Sequence, residues 1–178
     1  RPLSMIVVQT STSVRPETKS SIACSSSCSA IWPCPMPIFA SGTIACTVSA
    51  TGHNFGIYDA IQRTPVTSNS TVSVRCVSFA FRVRVSYDIS LSIGSSGNYN
   101  QRQMTSGSNM LGYNLYTNSS RTTVWGDGTD GTQTVTDDYT LGFLFPVTRN
   151  YTVYGRINGG QNVAGGFYND IITVTVLY

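Results

Sequence analysis

Tyr87-Asp88-Ile89-Ser90-Leu91-Ser92-Ile93 alternates large apolar with small polar side chains without a break. Successive side chains of an extended strand point to opposite faces. A period of two therefore sets Tyr87, Ile89, Leu91 and Ile93 on one buried face and Asp88, Ser90 and Ser92 on a wet one. A helix would scatter the same apolar residues around its circumference. Thr71-Val72-Ser73-Val74-Arg75-Cys76 repeats the pattern. Shorter runs at Ile44–Ala50, Phe79–Val85, Met110–Tyr116, Thr122–Trp125, Tyr151–Ile157 and Ile171–Tyr178 read as further strands. Turn residues punctuate them at Gly94-Ser95-Ser96-Gly97, Gly126-Asp127-Gly128, Asn158-Gly159-Gly160 and Gly165-Gly166. Many short alternating strands at this spacing predict an all-β, antiparallel sandwich.

Composition agrees with that reading. Of 178 residues, 24 are Ser and 22 Thr, only 11 % are charged, and there is one Lys (Lys19), one Glu (Glu17) and one His (His53). Soluble helices lean on Lys, Glu, Ala and Leu for their outer faces, whereas Thr, Val, Tyr and Ile suit a pleated, half-buried surface. The scarcity of His, Glu and Lys also argues against an enzyme, because those side chains most often carry acid–base work at neutral pH. The net charge of +3 is too small, and too concentrated near the N-terminus, for a nucleic-acid footprint. No apolar run reaches the roughly 18 residues of a membrane-spanning helix.

The chain divides near residue 42. Residues 1–42 show no consistent period and are expected to be irregular; residues 43–178 carry the strand pattern. Cys24, Cys28 and Cys34 lie in the first part with no fourth Cys or local His to complete a zinc site, so they read as unpaired thiols. Ala30–Phe39, followed by the small residues Ala40-Ser41-Gly42 and preceded by Arg15 and Lys19, has the order of a secretory signal. Pro33, Pro35 and Pro37 are poor for its apolar helix, and a translated upstream segment is the competing reading.

Cys46 and Cys76 are the only cysteines of the β region, each within an alternating run. In an oxidising compartment they would form a bridge worth about 3–4 kcal/mol in the chain-entropy model; in a reducing one they would be small buried apolar groups. The last run, Ile171–Tyr178, puts Ile172, Val174, Val176 and Tyr178 on one face. A long apolar strand at a sheet edge, unprotected by charge, invites pairing with another chain.

Taken in order, these runs resemble the spore coat protein U domain family. The resemblance rests on Cys46-Thr47-Val48-Ser49-Ala50, Asn54-Phe55-Gly56-Ile57-Tyr58-Asp59, Thr71–Cys76, Tyr87–Ser92, Arg102-Gln103-Met104, Leu111–Tyr116, Val124–Thr129, Val153–Ile157 and the final strand. It covers about residues 43–178. The family includes subunits of archaic chaperone–usher pili, such as Csu pili, and a spore coat protein. The resemblance implies an incomplete immunoglobulin-like sandwich of pilin type that lacks its last strand. A periplasmic chaperone would first supply that strand, and the N-terminal extension of the next pilus subunit would replace it at an outer-membrane usher. Ile44, Val48, Ile172, Val174, Val176 and Tyr178 would border the acceptor groove. The protein would be exported, pass through the periplasm and reach a cell-surface pilus. The alternative within the resemblance is a secreted, spore-coat-like protective protein that no usher assembles.

Three departures stand out: Val77–Val85 is longer and more apolar than usual, His53 replaces a commonly apolar residue, and Asn158-Gly159-Gly160 replaces a Pro-containing turn. Upstream of Cys46 no alternating stretch suits donation to a neighbour. The prolines deny donors to an edge strand, and Leu3–Val8 lacks clear alternation. A tip or non-donating subunit is the expectation.

The same sequence offers rival sites. Asp127, Asp130, Asp137 and Asp138 could offer oxygens to calcium, but Gly126-Asp127-Gly128 fits a tight hairpin turn better. His53 has no partner for nucleophilic catalysis. Tyr99, Tyr113, Tyr116 and Trp125 suit a core better than a carbohydrate-binding face. Phe79 and Phe81, with Arg82 and Arg84 nearby, are the candidate adhesive surface, against an ordinary hairpin strand. No metal or cofactor is expected.

Overall fold

The computed structural model describes residues 13–15 and 44–178. Among the described residues, nine strands are arranged as two sheets. They are β1 (Ser13–Arg15), β2 (Ile44–Ala50), β3 (Val66–Ser78), β4 (Val83–Leu91), β5 (Arg102–Ser106), β6 (Asn109–Tyr116), β7 (Val135–Leu141), β8 (Val147–Ile157) and β9 (Val174–Leu177), with two single 3-10 turns between β4 and β5. One sheet runs β1-β9-β4-β7 and the other β2-β3-β8-β6-β5. Every pairing is antiparallel except that of β1 with β9. The β sandwich expected from the sequence is the fold observed.

The period-two faces meet between the sheets. Val72, Val74 and Cys76 of β3 are buried with Val85, Tyr87, Ile89 and Leu91 of β4, while Arg75, Arg84, Ser86 and Asp88 face outward. Leu111, Tyr113 and Leu115 of β6, Val153 and Ile157 of β8 and Val174 and Val176 of β9 complete the core. Trp125 is wholly buried and its indole N–H donates to the carbonyl of Ile89 at 2.9 Å, which satisfies its one polar atom where water is absent. Cys46 and Cys76 are register partners on β2 and β3 and form a disulfide. At the side away from β9, the Tyr87 hydroxyl meets that of Tyr151 at 2.6 Å, and Tyr151 donates to Asp137 at 2.6 Å, so the two sheets are joined by polar as well as apolar contacts.

Several local expectations are corrected. Phe79–Val85 is not one strand: β3 ends at Ser78, the chain crosses to the other sheet, Arg82 turns with φ +54°, and β4 begins at Val83. The alternation of Phe with Arg was misleading because both aromatic side chains point to solvent. Thr122–Trp125 makes only isolated bridges, through Val124 and Trp125. Gly126–Gln133 is a wide loop rather than a tight hairpin, with the Gly126 N–H reaching the Gln133 carbonyl at 3.0 Å and Asp127 accepting from the Thr129 N–H at 2.9 Å. The run Ile171–Tyr178 contributes a strand only at Val174–Leu177, and its outer edge is not open, because Ser13–Arg15 pairs there. That pairing also corrects the wholly irregular reading of residues 1–42. Cys24, Cys28, Cys34, Leu3–Val8 and the signal-like stretch ending at Gly42 lie outside the described residues.

Candidate functional site

The six residues expected to border a groove fall on two strands that approach each other from opposite sheets. β2 carries Ile44, half-buried, and Val48, buried; among the described residues its strand partner is β3 alone. β9 carries Val174 and Val176, both buried, with Ile172 buried just before it and Tyr178 half-buried just after. β2 and β9 are in contact. At one end of this seam Ala50, Val72, Leu91, Val153, Ile172 and Val174 line a largely apolar cavity of about 20 Å³, close to the space one water occupies.

His53 also lines that cavity. It is 1 % exposed, its Nδ1 lies 2.7 Å from the Ser70 hydroxyl, and its ring packs on Phe55 at 4.6 Å. Nε2 has no hydrogen-bond partner among the described residues. Burial lowers its pKa from 6.5 to about 4, so the ring is neutral at physiological pH. Gly155 makes this possible, since a Cβ there would collide with Nε2. An imidazole with a serine but no carboxylate partner, enclosed in an aromatic shell, fills space in the apolar position the family resemblance assigns to it.

The candidate adhesive residues occupy one tip of the sandwich. Phe79 and Phe81 lie on the crossing between β3 and β4, and Phe81 is 78 % exposed. Phe81 stacks on Phe143 with ring centroids 4.8 Å apart. Phe143 belongs to the loop between β7 and β8, tied to the crossing by the Leu144 N–H, which donates to the Ser78 carbonyl at 2.8 Å. Leu144, with φ +57°, and Phe145, 75 % exposed, extend the apolar surface. Sequence reasoning missed Phe143, Leu144 and Phe145; the run Phe143-Leu144-Phe145-Pro146 outside any alternating segment was the available signal. Arg82 and Arg84 do not act together. Arg84 stands on the outer face of β4, where its guanidinium binds Asp138 of β7 at 2.6 Å, while Arg82 lies at the turn.

A family model, the Spore Coat Protein U domain, matches residues 36–175. The chain belongs to the spore coat protein U domain family. It is similar to a chain of the solved CsuC-CsuE chaperone–tip adhesion subunit pre-assembly complex from the archaic chaperone–usher Csu pili of Acinetobacter baumannii, at 23 % identity and a TM-score of 0.44 over 76 % of this chain. The match spans 40 % of that chain. No curated protein matches.

Within this spore coat protein U domain the other rival sites are structural. Asp127 holds its own loop, Asp138 pairs with Arg84 and Asp137 takes the Tyr151 proton donor; among the described residues no group of three or more His, Cys, Asp or Glu is placed to hold a metal. Tyr99, Tyr113 and Trp125 are buried and Tyr116 is half-buried. Arg102, which the sequence displayed only as part of a motif, is wholly buried. Its guanidinium donates to Asn114 Oδ1 at 2.8 Å, to the Trp125 carbonyl at 2.8 Å and to the Ser92 carbonyl at 2.9 Å, and lies over the Tyr99 ring. Next to it Asp170 accepts from the Tyr113 hydroxyl at 2.7 Å and from the Ser95 N–H at 3.0 Å. These polar groups close the end of the sandwich that leads into β9 and thereby fix the course of Asp170–Thr173.

Proposed function

We propose that the chain is a non-enzymatic structural and adhesive subunit of an archaic chaperone–usher surface pilus. In this reading the seam between β2 and β9, bordered by Ile44, Val48, Ile172, Val174, Val176 and Tyr178, accepts a strand first from a periplasmic chaperone and then from another pilus subunit at the outer-membrane usher. Family membership supports it, and the observation that carries it is the outer edge of β9. There β9 is paired on its outer side by Ser13–Arg15, in parallel, unlike any other strand pairing among the described residues. Such an edge offers main-chain hydrogen bonds for affinity and alternate side-chain positions for specificity. The subunit is exported, resides in the periplasm in transit and ends on the cell surface. The exposed tip with Phe79, Phe81 and Phe145 is its adhesive end, and the subunit receives a strand but donates none, as at a fibre tip.

The test is export of the chain to the periplasm with and without a co-expressed periplasmic chaperone of the archaic chaperone–usher class. Recovery of a one-to-one complex, with degradation of the chain expressed alone, is the expected result. A stable monomer that ignores the chaperone would overturn it. That outcome belongs to a second reading, a secreted protective coat protein that needs no usher, and one observation favours it: β1 already pairs with the β9 edge within the same chain.

A further inference from the structure

β4 runs from the aromatic crossing at Phe79 and Phe81 to the turn Gly94–Ser96 at its far end. There Gly94, Ser95, Thr105 of β5, Asn169, Asp170 and Ile171 line an open cavity of about 370 Å³, toward the small end of the range for ligand sites. One wall is an extended segment in which Tyr168, Asp170 and Ile172 are buried while Phe167, Asn169 and Ile171 are exposed. Its course is fixed, because Thr105 and Asn169 exchange both backbone hydrogen bonds, at 2.9 and 3.1 Å. At the base lies the Asp170 carboxylate, 4 % exposed. Oδ1 accepts from the Ser95 and Ile171 N–H groups at 3.0 and 2.8 Å, and Oδ2 from the Tyr113 hydroxyl at 2.7 Å. A carboxylate has about four lone-pair sites, so these three donors leave one for a ligand. Gly94, at φ +75°, keeps Oδ2 approachable, since a Cβ there would collide with it.

The remaining polar groups are uncommitted. Neither the Thr105 hydroxyl nor the Asn169 side-chain amide has a hydrogen-bond partner among the described residues, and each can both donate and accept. An anionic ligand would meet the Asp170 carboxylate, and the nearby Arg102 guanidinium is buried and spent on Asn114, Ser92 and Trp125. A wholly apolar ligand would strip water from Thr105, Asn169 and Asp170 without replacing its hydrogen bonds. A sugar ring meets both demands, with hydroxyls on its edge and C–H bonds on its faces.

We infer that the cavity between Gly94–Ser95, Thr105 and Asn169–Ile171 is a subsite for a neutral saccharide. Ring hydroxyls hydrogen-bond to Thr105, Asn169 and the spare lone pair of Asp170, and a C–H face rests on Ile171. Phe167, exposed on the same row as Asn169 and Ile171, is placed for the next sugar of a longer glycan. The subsite lies at the opposite end of β4 from the aromatic tip and holds whether or not the chain joins a pilus.

The test is saturation-transfer difference NMR on the full chain, free or in complex with a periplasmic chaperone. The probes are the methyl glycosides of glucose, galactose, mannose and N-acetylglucosamine, at up to about 50 mM to reach millimolar affinities. Saturation should pass to at least one of them, most strongly to the C–H protons of one ring face. Asn169→Ala and Thr105→Val should each weaken that binding at least tenfold, as the loss of a hydrogen-bonding partner does. They sit on different segments and their side chains hold nothing else, so thermal unfolding should be unchanged in both, and either one suffices if the other does not fold. Arg75→Ser, on the outer face of β3, should bind as the wild type does. N-acetylneuraminic acid, which carries a carboxylate, should receive no saturation. Failure of all four glycosides to bind overturns the subsite, as does equal binding by the wild type and both cavity variants. Capture of N-acetylneuraminic acid as tightly as the neutral sugars overturns the role given to Asp170.

Discussion

Cys46 and Cys76 face each other as register partners on β2 and β3, their Cα atoms 4.1 Å apart, and their sulfurs are joined. The bridge therefore fastens β2, whose strand partner among the described residues is β3 alone, to the strand that carries much of the core. Its loop of 30 residues corresponds to about 3.6 kcal/mol in the chain-entropy model. Cys46→Ala/Cys76→Ala should lose about 2–4 kcal/mol in urea unfolding, and the loss should be matched by reduction of the wild type. A smaller loss would mean that β2 is held by packing on β3 alone.

Arg102 is the most consequential polar residue of the core. Its removal leaves the buried carbonyls of Ser92 and Trp125 without their guanidinium donor, while Asn114 Oδ1 keeps only the Leu115 N–H, and each orphaned group costs about 1–3 kcal/mol. Arg102→Met, which keeps the apolar stem, should destabilise by about 3–5 kcal/mol. Arg102→Lys should recover only part of this, because one ammonium cannot span the fork that reaches three acceptors. Equal stability of the Lys variant and the wild type would show that charge rather than the forked geometry matters.

His53 makes stability depend on pH in a defined window. Its folded pKa is near 4 and its ordinary value is 6.5, so between those limits the unfolded chain binds a proton that the folded chain does not. Stability contributed by the neutral ring is complete above about pH 6.5 and is lost as the pH falls toward 4. The full loss is on the order of 3 kcal/mol. Urea midpoints should fall between pH 7 and pH 4.5 in the wild type and much less in His53→Leu. The same slope in both would place the titrating group elsewhere.

The alternating faces of β3 and β4 were legible because each strand buries one side only, and burial imposes the period on the sequence. The Cys46–Cys76 pair was legible because no other cysteine shares the β region. Three features were not. Ser13-Val14-Arg15 has no period and no distinctive composition, and its place on β9 is a matter of long-range pairing alone. Arg102 reads as a surface cation until the carbonyls of Ser92 and Trp125, supplied by distant loops, are seen to surround it. Phe79 and Phe81 alternate as strand residues do, yet they stand on a crossing between sheets, where alternation carries no information about burial.

Gly155 tests the tight end of the seam. On β8 opposite Ser68 and Leu115, it has no positive φ, and its need is space: a Cβ would stand 2.6 Å from Phe55 Cζ and closer still to His53. Both rings are buried and packed against each other at a tilt of 45°, so neither yields freely. Gly155→Ala should cost about 1–3 kcal/mol as an overpacked core. Combining it with His53→Ala should recover much of that cost, giving a double-mutant coupling of about 1 kcal/mol or more. Additive losses would mean that the clash is relieved by backbone movement in β8.

The proposed adhesive role of the aromatic tip can be tested apart from stability. Phe81 and Phe145 are 78 % and 75 % exposed, so removing them sacrifices little folded-state burial, and Phe81→Ser/Phe145→Ser should shift unfolding by less than about 0.5 kcal/mol per site. Each ring pressed against an apolar surface would remove most of its remaining area from water, worth about 1.5–3 kcal/mol for a whole side chain. Adsorption of the chain to polystyrene, followed by quartz-crystal microbalance, should therefore weaken at least tenfold in the double variant, while adsorption to clean glass is unchanged. Arg84→Ser should alter neither, since its guanidinium is turned to Asp138 on the outer face of β4. If the double variant binds polystyrene as the wild type does, the tip is not the adhesive end and the exposed aromatics serve another contact.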